Sequence, residues 1–68
     1  MLMQLIINGE EINFINGNTI RQLLEQLQLA ERPVAVERSG QIVSYSTFEQ
    51  TVLTEGDVLE IVTLVGGG

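Results

Sequence analysis

The sequence predicts an α+β fold in which one main helix packs on one face of a mixed β-sheet. Three features carry this expectation: a hairpin signal at Asn8-Gly9 behind an apolar run, a single amphipathic helical stretch, and a β-branched run from Val58 to Leu64. With 68 residues, of which 44% are hydrophobic, the chain holds one domain and one core. There is no Cys and no His, so neither disulfides nor thiolate and imidazole metal ligands staple the chain, and packing alone holds it.

Residues 4–15, QLIINGEEINFI, are two β-rich arms joined at Asn8-Gly9, a pair that readily takes the positive φ values of a tight turn. The first arm, Leu5-Ile6-Ile7, is continuously apolar, which predicts a central strand buried on both faces. In the second arm Ile12 and Phe14 alternate with Glu11 and Asn13, the pattern of a half-buried strand. Thr19-Ile20-Arg21-Gln22 then fits a capping box. Ile20, Leu23, Leu24 and Leu27 follow the i, i+3, i+4, i+7 spacing of a helix with one buried face. Pro33 disfavours helical geometry in the residue before it, so the helix is expected to end by about Ala30.

Val34-Ala35-Val36 reads as a short strand, Ser39-Gly40 as a turn and Gln41-Ile42-Val43 as a return strand. Ser44–Leu53 lacks clean periodicity, and Tyr45, Phe48, Val52 and Leu53 are expected to anchor an irregular segment on the domain. After a turn at Glu55-Gly56-Asp57, residues 58–64 form the clearest strand of the chain. Two apolar strands at opposite ends of the sequence favour parallel neighbours in mid-sheet. With the helix over one face, the arrangement is a ubiquitin-like β-grasp: a domain over 1–64 and a glycine tail over 65–68.

The residue types exclude most chemistry. No Cys or Lys nucleophile, no His base and no metal-ligand spacing is present. Glu10-Glu11 follows a turn and its two side chains point to opposite faces, so it reads as a solvated turn. Arg32 and Arg38 are too isolated to form an anion site. The formal charge of −6 repels phosphate backbones and anionic membranes, which argues against nucleic-acid and membrane partners. No apolar run reaches the length of a membrane span, and the N-terminus lacks a signal-peptide pattern. A cytoplasmic protein, monomeric when free, is expected.

What remains is Gly66-Gly67-Gly68. A phosphate-cradling glycine loop leads into a helix N-terminus, whereas these glycines follow a strand. They read either as a frayed end or as a slim arm presenting a carboxylate; from Val65 to Gly68 such an arm reaches roughly 13–14 Å at ~3.3–3.6 Å per residue.

The opening strand ending in Asn-Gly-Glu, the helix TIRQLLEQLQL, PVAVERSGQIV and EGDVLEIVTLVGGG, in that order, resemble the sulfur carriers of thiamine biosynthesis, the ThiS type. The resemblance covers the whole chain. It implies that the terminal diglycine, here Gly67 and Gly68, is where chemistry occurs; Gly66 departs from the small residue, such as alanine, that many relatives carry. It further implies that an E1-like adenylyltransferase uses ATP and magnesium to adenylate the Gly68 carboxylate, and that sulfur from a cysteine desulfurase persulfide then displaces AMP. The resulting thiocarboxylate would supply thiazole synthase. On this reading the chain itself is not an enzyme and binds no cofactor or metal. A terminal carboxyl with a pKa of ~3.3–3.7 is an anion at neutral pH that nucleophiles do not attack, so activation is a chemical necessity. A carrier for another pathway, like the small subunit of molybdopterin synthase, a protein modifier, and a non-covalent β-grasp binding module remain open alternatives at this level.

Overall fold

A computed structural model describes residues 2–64. The elements are β1 (Met3–Ile7), β2 (Glu10–Phe14), α1 (Ile20–Gln26), β3 (Val34–Arg38), β4 (Gln41–Val43), a single 3-10 turn (Tyr45–Thr47) and β5 (Val58–Thr63). The sheet runs β2-β1-β5-β3-β4. β1 and β5 are parallel neighbours, with Ile6 opposite Val58 and Ile7 opposite Leu59, and the other pairings are antiparallel. This is the β-grasp arrangement expected from the two apolar strands at the ends of the chain.

The hairpin turns at Asn8 and Gly9, with φ of 53° and 83°. At the helix start the Thr19 hydroxyl accepts from the Gln22 N–H at 3.2 Å, and Gln22 Oε1 accepts from the N–H groups of Asn18 and Thr19 at 2.9 and 3.2 Å. The capping box is thus formed as the sequence predicts. The irregular segment satisfies further donors of the first turn: the Thr51 and Phe48 carbonyls accept from the N–H groups of Ile20 and Arg21.

The helix ends at Gln26, with Leu27 as its cap, one turn short of Ala30. The cause is Gln28, which takes a left-handed φ of 62°. Its N–H donates to the Glu25 carbonyl at 3.1 Å, and the Leu29 N–H donates to the Leu24 carbonyl at 2.7 Å. These two bonds make a Schellman ending with glutamine where glycine is usual, so composition gave no stop signal.

The core joins Met3, Leu5, Ile7, Phe14, Ile20, Leu23, Leu24, Val34, Val36, Phe48, Leu53, Leu59 and Ile61. Leu27 packs on it partly buried. Two expectations need correction. First, β1 and β5 are not buried on both faces: Val58 and Val62 are 48% and 56% exposed, because among the described residues a single short helix covers one face and no second layer covers the other. Second, of the four anchors expected between Ser44 and Leu53, Phe48 and Leu53 are buried, whereas Tyr45 and Val52 are 69% and 51% exposed. The segment turns through the 3-10 element, so alternate apolar side chains leave the core.

Candidate functional site

Gly66, Gly67 and Gly68 lie outside the described residues, as does the proposed boundary between domain and tail. What the structure does define is the root from which they extend. β5 occupies the middle of the five-stranded sheet, and its ladder to β3 runs from Arg38 opposite Leu59 to Val34 opposite Thr63. One residue further, the Leu64 N–H donates to the Pro33 carbonyl at 2.9 Å. The strand is therefore held up to the last described residue.

On its other side β5 is held by β1 and then by a side chain. β1 turns away into the hairpin at Asn8, which would leave Ile61 without a neighbour. The Asn8 carboxamide replaces the missing strand: its Nδ2 donates to the Ile61 carbonyl at 3.0 Å and its Oδ1 accepts from the Ile61 N–H at 2.9 Å. A carboxamide presents an N–H donor and a C=O acceptor along one edge, as a single strand residue does with its own N–H and C=O, so one asparagine continues the ladder. The left-handed φ of Asn8, which asparagine tolerates better than most residues, brings the side chain to that position. The sequence pointed to Asn8 as a turn residue; its pairing with a residue 53 positions away was not visible there.

Around the root lies a cleft of about 490 Å³ lined by Ala30, Glu31, Arg32, Pro33, Val34, Tyr45 and Leu64. Three chain segments converge on it: the loop after α1 with the start of β3, the 3-10 turn, and the end of β5. Arg38, by contrast, lies at the other end of β3 and pairs with Asp57 at 2.7 Å. Glu10 and Glu11 are exposed as expected, but they open β2, opposite Ile7 and Ile6, rather than forming a turn. No grouping of three or more potential metal ligands occurs among the described residues. No helix there is long and apolar enough to cross a membrane. The domain thus offers a strand end held on both sides beside a cleft of mixed character, apolar at Ala30, Pro33, Val34 and Leu64 and charged at Glu31 and Arg32.

Residues 5–68 match the family model of the ThiS family. The chain is 48% identical over 66 residues to a thiazole synthase of Paramagnetospirillum magneticum, spanning 97% of this chain but only 20% of that protein. It is 37% identical over 63 residues to the sulfur carrier protein ThiS of Bacillus subtilis, covering 91% of this chain and 96% of that one. A crystal structure of the thiamine biosynthesis protein ThiS from Geobacter metallireducens superposes with a TM-score of 0.77 at 29% identity, covering 97% of this chain and all of that one.

Proposed function

The chain belongs to the ThiS family, and from that premise we propose that it carries sulfur for thiazole formation in thiamine biosynthesis, using the carboxylate of Gly68. The observation that supports this reading most is the family match, which runs from β1 through the terminal glycines. The near full-length similarity to a named sulfur carrier agrees with it. So does the similarity to one fifth of a thiazole synthase, in which a segment like this chain belongs to the same polypeptide as the enzyme.

In this proposal the chain is a co-substrate. An E1-like adenylyltransferase draws in Gly66-Gly67-Gly68, and the Gly68 carboxylate attacks the α-phosphate of ATP, with magnesium, to give an acyl adenylate and pyrophosphate. The outer sulfur of a cysteine desulfurase persulfide displaces AMP to give an acyl disulfide, a second thiol then cleaves the S–S bond, ending as a disulfide and releasing the thiocarboxylate, and the thiocarboxylate goes to thiazole synthase. The domain contributes placement. The Asn8 carboxamide and β3 fix β5 from both sides, so the root of the arm has one direction relative to any enzyme that grips the domain. Without Cβ atoms, Gly67 and Gly68 fit a narrow channel and adopt backbone angles closed to other residues.

The test is deletion of Gly68, or extension beyond it, assayed by ATP–pyrophosphate exchange with the adenylyltransferase. Exchange is expected to vanish while thermal unfolding stays within about 0.5 kcal/mol of wild type. Gly67→Val is expected to weaken exchange without removing the carboxylate. Normal exchange by the Gly68 deletion refutes the assignment.

A further inference from the structure

We propose that Asn16 is a site of spontaneous deamidation in the folded chain, and that the Asn8 clamp spares the second Asn-Gly pair from the same reaction. The modification needs no partner and is independent of the sulfur-carrier function.

The chain has four asparagines. Asn13 and Asn18 precede Phe14 and Thr19, whose side chains crowd the amide nitrogen that would react. Asn8 and Asn16 each precede a glycine, which has no Cβ to do so. In such a pair the glycine nitrogen attacks Cγ of the carboxamide. A C–N bond closes a succinimide ring, the carboxamide C–N bond breaks, and ammonia leaves with the proton lost from the glycine amide. Water then opens the ring at either carbonyl. One opening gives aspartate, and the other gives isoaspartate, in which the main chain runs through the former side chain. The balance is one water consumed and one ammonia released, with no oxidation or reduction. This chemistry makes asparagine one of the thermolabile residues.

Local sequence makes the two pairs equal, and the fold makes them unequal. The Asn8 carboxamide is bound at both ends, Nδ2 to the Ile61 carbonyl at 3.0 Å and Oδ1 to the Ile61 N–H at 2.9 Å. The Asn8 backbone N–H is bound as well, to the Leu59 carbonyl at 3.0 Å. Cγ is thus held against β5, and both side-chain bonds must break before it can swing onto the Gly9 nitrogen. Asn16 instead lies exposed between β2 and α1. The residues on either side of its pair are fixed: the Ile15 N–H donates to Gln26 Oε1 and the Asn18 N–H to Gln22 Oε1, both at 2.9 Å. Between them, neither the Asn16 carboxamide nor the Gly17 N–H makes a hydrogen bond among the described residues. The carbon to be attacked is free to turn, and the attacking nitrogen has no bond to give up.

Position decides what each reaction does. β2 ends beside Met3, at the start of β1, whereas β5 pairs with the last residues of β1. Asn16 therefore stands at the end of the sheet away from Leu64, and its modification leaves the strand that carries the tail in place. It adds one negative charge to a chain already at −6. Isoaspartate also inserts a main-chain carbon directly before Gly17, which lies so close over Gln22 that a Cβ there would fall 2.5 Å from Oε1. The extra atom strains the capping box. At Asn8 the reaction would put a carboxylate oxygen where Nδ2 donates to the Ile61 carbonyl, and the clamp would be lost. The clamp protects the residue on which it depends.

The test uses the unaltered protein, held at mildly alkaline pH in buffer and, in parallel, in concentrated urea. Cleavage after Glu10 and Glu11 separates Asn8 from Asn16, and fragment mass spectrometry locates each replacement of NH2 by OH. In urea the two sites should convert at rates within about threefold of each other, since their local chemistry is the same. In buffer Asn16 should stay within about threefold of its urea rate, because an exposed connection opens at almost no cost. Asn8 should slow about tenfold or more, because two hydrogen bonds must open first. Slowing of Asn16 by as much as Asn8 overturns the assignment, as does conversion of Asn8 in buffer as fast as Asn16. Conversion of Asn13 or Asn18 ahead of Asn16 overturns it too.

Discussion

Replacing Asn8 by alanine tests whether one carboxamide holds the strand that carries the tail. The substitution removes two hydrogen bonds, to the N–H and the carbonyl of Ile61, both partly buried. At about 0.5–1.5 kcal/mol each, their loss amounts to about 1–3 kcal/mol. Alanine at a φ of 53° adds about 1 kcal/mol of backbone strain. The total of about 2–4 kcal/mol is a large part of the roughly 3–10 kcal/mol available to a domain of this length. It corresponds to a fall in Tm of roughly 8–30 °C. Asn8→Gly separates the two contributions, because glycine accepts the left-handed φ and lacks the amide; it should be about 1 kcal/mol more stable than Asn8→Ala. Urea and thermal unfolding measure both, and amide exchange at Ile61 reports the clamp locally. If Asn8→Gly unfolds within 0.5 kcal/mol of wild type with the Ile61 amide still protected, the carboxamide does not hold β5.

Other positions give sharper local tests. A Cβ at Gly17 would lie 2.5 Å from Gln22 Oε1 and 2.7 Å from Gln22 Cβ at a φ of 128°, so Gly17→Ala should break the capping box and cost about 1–3 kcal/mol by urea unfolding. Gln28→Gly should do the opposite, raising stability by about 0.5–1 kcal/mol in the same assay, because it relieves a left-handed non-glycine residue at the helix end. Asp57→Ala should cost about 2–3 kcal/mol, since Asp57 Oδ2 accepts from Arg38 at 2.7 Å and from the Thr54 N–H at 2.8 Å. Glu49→Ala should cost less than about 1 kcal/mol, its pair with Arg21 spanning 3.7 Å with the carboxylate largely in solvent.

The features legible in the sequence are those that local chemistry fixes. Asn8-Gly9 demands a tight turn, Thr19 and Gln22 demand a helix start, and the apolar runs at the two ends demand the middle of a sheet. The helix end was not legible, because Gln28 reaches its left-handed φ through tertiary context without the glycine that would announce it. Nor was the exposure of Val58, Val62 and Tyr45, since a continuous apolar run looks the same whether a partner layer is present within the chain or not. The terminal glycines were visible as the candidate site through their order behind the last strand and the family resemblance. The cleft at the end of β5 was not, for it is assembled from segments that meet only after folding. The Asn8 clamp was hidden for the same reason.

The parallel pairing of β1 with β5 has a mechanical consequence. A pull on the chain beyond Leu64 acts along the axis of β5. β5 is bonded on one side to β1 and the Asn8 carboxamide and on the other to β3 along its length, with the bonds lying across the pull. Force applied beyond Leu64 therefore loads these bonds together, in shear, where an edge strand or a terminal helix would peel open one bond at a time. The ladder on both sides of β5 thus resists a pull on its end as a unit.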